Sequence, residues 1–141
     1  MVTVMLAPGA SENGLALMLS GLLTQNLADK PHKKKDFDAL RAVIAIVAED
    51  VGVALTLEFL GGSLVVHDGI HGVPDVTVRA SADDVTNMSL VELTKRGFPD
   101  GSGEVSKQID AAMSSGRIRA IGAARHPLTM LRLTRVMSVH G

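Results

Sequence analysis

The stretch Ala42-Val-Ile-Ala-Ile-Val-Ala48 carries no charge and is rich in β-branched side chains, and it constrains the fold more than any other part of the chain. Such a run reads as a strand covered on both faces. The residues after it continue a sheet. Val53, Leu55, Leu57 and Phe59 alternate with Thr56 and Glu58, the pattern of a half-buried strand. Gly61-Gly62 permits a tight hairpin turn, and Leu64-Val-Val-His67 returns as the antiparallel partner, ended by Asp68-Gly69. Past a turn-rich stretch through Pro74, Val76, Val78 and Ala80 face one side while Thr77, Arg79 and Ser81 face the other, which predicts a fourth strand.

Helical spacing brackets this meander. Residues 1–10 end in the loop signal Pro8-Gly9, after which Ser11 is expected to cap a helix with Leu15, Met18, Leu19, Leu22, Leu23 and Leu27 on its apolar side, closed by Asp29 to Pro31. Its Leu15–Leu23 segment is not read as a signal peptide, because no Lys or Arg precedes it and Glu12, Asn13, Gln25 and Asn26 bracket it. A bilayer span needs about 20 apolar residues, more than this run supplies. His32-Lys-Lys-Lys35 reads as a basic, solvated connector; Lys33, Lys34 and Lys35 are the candidates for transient contact with an anionic membrane surface. A short helical turn is expected from Asp36.

Ser81 starts another helix, with Asp83 and Asp84 where the helix dipole favours acids. Phe98–Gly103 is a loop, followed by a helix with Val105, Ile109 and Met113 spaced by four and Gly116 as terminator. Arg117–Gly122 reads as a short strand with Ile118 and Ala120 on one face. Pro127 opens the last helix, with His126 expected to cap it. There Thr129, Arg132 and Arg135 form a narrow polar stripe, and Leu128, Met130, Leu131, Leu133, Val136 and Met137 fill most of the remaining circumference. That is too much apolar surface for a plain surface helix.

At 141 residues one domain, spanning 1–141, is expected. Aromatics are only 2% of the chain, with no Trp or Tyr, and the formal net charge is −1. Neither the stacking platforms nor the positive field of a nucleic-acid binder is present. The lack of Cys removes disulfides, thiol nucleophiles and Cys-based zinc sites, and it is compatible with a reducing compartment, so a cytoplasmic location is expected.

Three segments in order resemble the sterol carrier protein type 2 family: the hairpin Leu55–Gly69, the segment Pro74-Asp-Val-Thr-Val-Arg-Ala-Ser-Ala-Asp-Asp-Val85, and Ser115-Gly-Arg-Ile-Arg-Ala-Ile-Gly122 with the Leu-rich helix after it. The similarity runs over roughly residues 15–138. The chain departs from the family pattern in an enlarged loop at Phe98–Gly103, and in Ala123 with the extra residues Ala124 to His126. The resemblance implies an α+β fold: a five-stranded, mainly antiparallel twisted sheet covered by a layer of helices, with an apolar cavity between them that takes fatty acyl chains, sterols or other lipids.

Other constellations carry less. His67-Asp-Gly-Ile-His71 offers two imidazoles and a carboxylate, yet it spans a turn with no fixed common face, so exposed turn histidines and no metal are expected. Asp83-Asp84 is accounted for by the helix dipole, and His126 beside Arg125 has no nucleophile to activate. No catalytic residue and no cofactor is therefore expected. The function expected is reversible, non-catalytic binding and transfer of an apolar lipid, lined by Met88, Leu93, Ile109, Met113, Ile118, Leu128, Met130, Leu131 and Leu133. The closing helix and the loop Phe98–Gly103 are expected to form the movable wall. The rival is an interaction or homodimerisation module of the same fold, its cavity filled by side chains and its closing helix buried in an interface.

Overall fold

The structure, a computed structural model, describes residues 3–141. Its strands are β1 (Thr3–Leu6), β2 (Arg41–Ala48), β3 (Val53–Leu60), β4 (Ser63–Asp68), β5 (Val76–Ala80) and β6 (Arg119–Ile121). Its helices are α1 (Gly14–Asp29), α2 (Lys34–Ala39), α3 (Ala82–Met88), α4 (Glu104–Ser114) and α5 (Pro127–Met137).

The strands form one mixed sheet of order β1-β4-β3-β2-β5-β6. The β3-β4 hairpin forms as expected and β2 joins it antiparallel, with Leu57 opposite Ile44 on one side and Val66 on the other. Gly61 and Gly62 turn the hairpin at φ of 69° and 114°, where a side chain would be strained.

Three expectations about the sheet are corrected. It has six strands among the described residues rather than five, because Thr3–Leu6 adds an edge strand parallel to β4. That strand is too short to show alternation, and its partner lies sixty residues on, at Ser63–Val66. The chain also does not continue the meander after β4. β5 returns to the far side of β2 and runs parallel to it.

The segment 69–75 makes that crossing over the sheet's outer face. Gly69 donates to the Ala54 carbonyl, the His71 main chain to Thr56 Oγ1, and Asp75 exchanges two 2.8 Å bonds with the Val43 main chain. The third correction concerns β2, which helices cover on one face only. Ile44 and Ile46 face the helices, and Val43 and Val47 are merely half-buried on the outer side.

The core lies between the inner sheet face and the helices. Leu19, Leu23 and Leu27 of α1, Phe37 of α2 and Leu133 and Val136 of α5 pack on Ile44, Leu55, Leu57, Phe59, Leu64 and Val66. Phe37 meets Phe59 edge to face at 6.2 Å.

The first helix begins later than Ser11. Asn13 is its cap: Oδ1 accepts from the Ala16 N–H, while Nδ2 donates to the Ala54 carbonyl and Asp68 Oδ1, so one side chain also ties the helix to the ends of β3 and β4. His126 makes no side-chain cap on α5. Ser81 does cap α3, accepting from the Asp84 N–H. At the end of β6, Gly122 has φ 89°, and a Cβ there would sit 2.4 Å from the Asp75 carbonyl oxygen, so glycine is required.

Asp84 is buried under Arg117, which reaches it through Nε at 3.0 Å and Nη2 at 3.2 Å. The Arg117 hydrogen bonds hold the Asp84 carboxyl below its ordinary value, against burial, with the Ser81 hydroxyl adding to the effect. A carboxylate with a depressed folded pKa contributes stability above its unfolded pKa and loses it as pH falls through the folded value. Asp84→Asn should therefore cost about 1 kcal/mol at pH 7, a modest value because Arg117 is half-exposed. Urea titrations of both proteins should show that gap closing below pH 4.

Candidate functional site

The inner face of the sheet is not fully covered by helix. Where β2, β5 and β6 pass under α4 and α5, the layers stand apart around an apolar cavity of ≈ 320 Å³. Ile46, Val78, Ile118 and Ala120 form its floor on the sheet side. Met88, Ile109, Met130, Leu133 and Met137 enclose it from the helices, with Val91 from the segment after α3. Met113, which is 49% exposed, lies with Pro99, Gly101 and Asp110 at the rim, which opens to solvent.

Of the nine residues expected to line such a space, six do: Met88, Ile109, Met113, Ile118, Met130 and Leu133. Leu128 is 53% exposed on the outside of α5, and Leu131 is half-buried away from the cavity. Leu93 faces a different depression. Of the sheet floor only Ile118 was expected; Ile46 and Val78 read simply as core positions. Ser106, Thr134 and Met137 were also missed.

Polar atoms in the wall are few. Thr134 Oγ1 donates to the Met130 carbonyl. Ser106 Oγ, on a residue only 5% exposed, has no hydrogen-bond partner among the described residues. Such a group costs about 1–3 kcal/mol when left unpaired in an apolar surrounding.

Glu92 fixes the start of α4, where Gly103 offers no cap. Its carboxylate accepts from the Val105 and Ser106 N–H groups. Its own main-chain N–H and those of Ser106, Val105 and Glu104 hold it below the ordinary carboxylate range.

The wall expected to move is firmly attached at one end. Asn26 Nδ2 donates to the Val136 and Met137 carbonyls, and Lys33 Nζ to those of Arg135, Ser138 and His140 at 2.6, 2.5 and 2.6 Å. Ser138 Oγ donates to the Val91 carbonyl. The loop before α4 is held as well, since Arg135 Nε donates to the Gly97 carbonyl and its guanidinium lies over the Phe98 ring at 5.2 Å. By contrast α4 buries only Ser106 and Ala112 fully, which makes it the least anchored part of the wall.

These bonds correct the reading of the lysine run. Lys33 is 3% exposed and saturated by three carbonyls at the end of α5, where a cation is favoured, so it is not free to meet a membrane surface. Burial chiefly, with nearby Lys30, lowers its pKa to about 8 against the opposing effect of Asp36. Lys34 is paired with Asp38, and only Lys35 of the three is exposed.

A larger depression of ≈ 540 Å³ runs past Lys33, Asp36, Leu93, Arg96 and Arg135. It suits an apolar ligand poorly, because Arg135 already pairs there with Asp36 at 3.4 Å. Among the described residues no helix is long and apolar enough to cross a membrane.

The sequence profile of the SCP-2 sterol transfer family matches residues 19–118. The chain belongs to the SCP-2 sterol transfer family. Solved structures with this SCP-2 fold include one titled UbiJ-SCP2 ubiquinone synthesis protein, with 20% identity and a TM-score of 0.60 over 88% of this chain and 95% of that one. A crystal structure of sterol carrier protein 2 aligns at 13% identity and TM-score 0.51, covering 84% and 90%. Sterol carrier protein 2 from Yarrowia lipolytica, in its apo form, aligns at 12% and 0.51, covering 94% of each chain. Among curated proteins no sequence matches significantly. Each of these SCP-2 neighbours shares the fold at low identity.

Proposed function

We propose that this SCP-2 domain reversibly binds the apolar part of a lipid between β2, β5, β6 and the helices α4 and α5, without covalent chemistry, and holds the ligand's polar end at Ser106. The observation that carries the reading is an apolar cavity in a family fold whose wall contains one buried, unpartnered hydroxyl. At about 25 cal/mol per Å² of apolar surface removed from water, burial supplies the affinity, less the cost of association. Four methionines in the lining, Met88, Met113, Met130 and Met137, give walls that adapt to guests of differing shape. The cavity is at the small end for ligand sites, so a long chain would emerge past Met113 at the rim.

Native mass spectrometry of gently purified protein, and displacement of a fluorescent fatty acid, test this. Two fold neighbours are a ubiquinone synthesis protein and a sterol carrier protein, so ubiquinone, a sterol and a fatty acid are the competitors to try. Saturable one-to-one displacement by at least one of them is expected; no co-purified lipid and no displacement would sink the proposal.

Ser106→Ala gives the finer test. A neutral hydrogen bond contributes about 1 kcal/mol, so dodecanol should bind roughly fivefold more weakly to the variant. Dodecane should bind both proteins alike. Equal loss for both ligands would mean that Ser106 shapes the wall rather than holding a polar group.

A further inference from the structure

On the sheet face that the helices leave uncovered, Glu58 from β3, His67 from β4 and His71 from the crossing segment bring one nitrogen or carboxylate oxygen each within 4.8 Å of the others. Glu58 stands opposite Val65 and His67 opposite Thr56, so Glu58 and His67 are diagonal neighbours on the pleat. His67 Nε2 lies 2.9 Å from Glu58 Oε1. The two imidazoles stack, with centroids 3.8 Å apart and planes 5° from parallel. The common face that the spacing His67-x-x-x-His71 could not supply is thus created by the crossing of segment 69–75, and β3 adds a third ligand that no local motif contains.

We propose that Glu58, His67 and His71 form a binding site for a divalent first-row transition ion of the zinc type. Two imidazoles and one carboxylate are the donor set such ions prefer, whereas calcium and magnesium take oxygen ligands. Metal–ligand bonds of 2.0–2.2 Å in tetrahedral geometry put ligand atoms about 3.4 Å apart, so the Glu58–His67 pair at 2.9 Å must open slightly while His71 draws in.

Stacked rings keep their nitrogen lone pairs in parallel planes that do not meet at one ion, so one ring must turn to close the site. His71 is the one able to do so: it is exposed, and Gly69 and Gly72 flank it at φ 70° and 72°. Its main-chain bond to Thr56 Oγ1 meanwhile keeps it over the sheet. Three protein ligands leave the fourth position to water. A bound ion would fasten segment 69–75 onto β3 and β4, on the opposite side of the sheet from the cavity.

The test uses the full chain. Titration with Co²⁺, followed by its visible absorption, and with ZnCl₂ by calorimetry should each saturate at one equivalent. Glu58→Gln, His67→Ala and His71→Ala should each weaken binding at least tenfold, with far-ultraviolet circular dichroism unchanged. His126→Ala and His140→Ala should leave binding as it is. His71→Ala removes an exposed loop side chain, so it keeps the test decisive should His67→Ala disturb folding. Absence of saturable binding, several weak equivalents, or binding that survives His71→Ala would overturn the proposal.

Discussion

Lys33→Met should lower the melting temperature by about 10 °C. The ammonium is the shared donor to three carbonyls at and beyond the end of α5, and methionine keeps the apolar stem while leaving those acceptors without their partner. At about 1–3 kcal/mol for an unpaired buried group, with some relief from water at this end of the helix, the loss comes to about 3 kcal/mol. For a domain of this size that corresponds to about 3 °C per kcal/mol. Lys33→Arg should not rescue it, because a planar guanidinium cannot direct three bonds into a socket shaped for an ammonium.

The same lysine has a pH signature. With a folded pKa of about 8 against an ordinary 10.5, the unfolded chain holds a proton between those values that the folded chain has released. Stability should therefore rise with pH across that window, and the rise should vanish in Lys33→Met. Denaturant titrations at pH 7.5 and 10 check both statements; a variant as stable as the parent would mean that Asn26 and Ser138 hold α5 unaided.

Ala120→Phe should reduce lipid binding more than tenfold, a change above 1.4 kcal/mol, without unfolding the protein. Ala120 sits on the cavity floor opposite Val78, and a phenyl ring there projects into the space the ligand would use. Filling an apolar hollow tends to stabilise a fold, so unfolding should move to equal or higher denaturant as binding is lost. That opposite movement separates blocking from damage. Undiminished binding by the variant would place the ligand outside the cavity.

How much of this the sequence revealed depended on distance along the chain. The β2-β3-β4 hairpins, the Ser81 cap and the Pro127 helix start were legible because period-two alternation, turn glycines and capping are local signals. The edge strand Thr3–Leu6 and the parallel return of β5 were not, since pairing with a strand far away leaves no local mark. Lys33 was misread for the same reason. Its run looks like a solvated face, and the carbonyls that bury it lie a hundred residues on.

Within the cavity, the helix residues Ile109 and Met130 were visible from spacing and from the excess apolar surface of α5. Ile46 and Val78 could be placed on the inner face by alternation. Nothing in the sequence marks where the helices stand off from that face. Ser106 carries no periodic signal at all; only its unpaired hydroxyl in three dimensions draws attention to it.

Apart from Ile46, every residue lining the cavity comes from Val78 onward, while α1, α2 and the meander supply most of the core. The division has a practical consequence. Met88, Ile109, Met113 and Met130 line the hollow without belonging to the fully buried core, so exchanging them would recut it for a differently shaped guest while the packing of α1, α2 and the meander stays as it is.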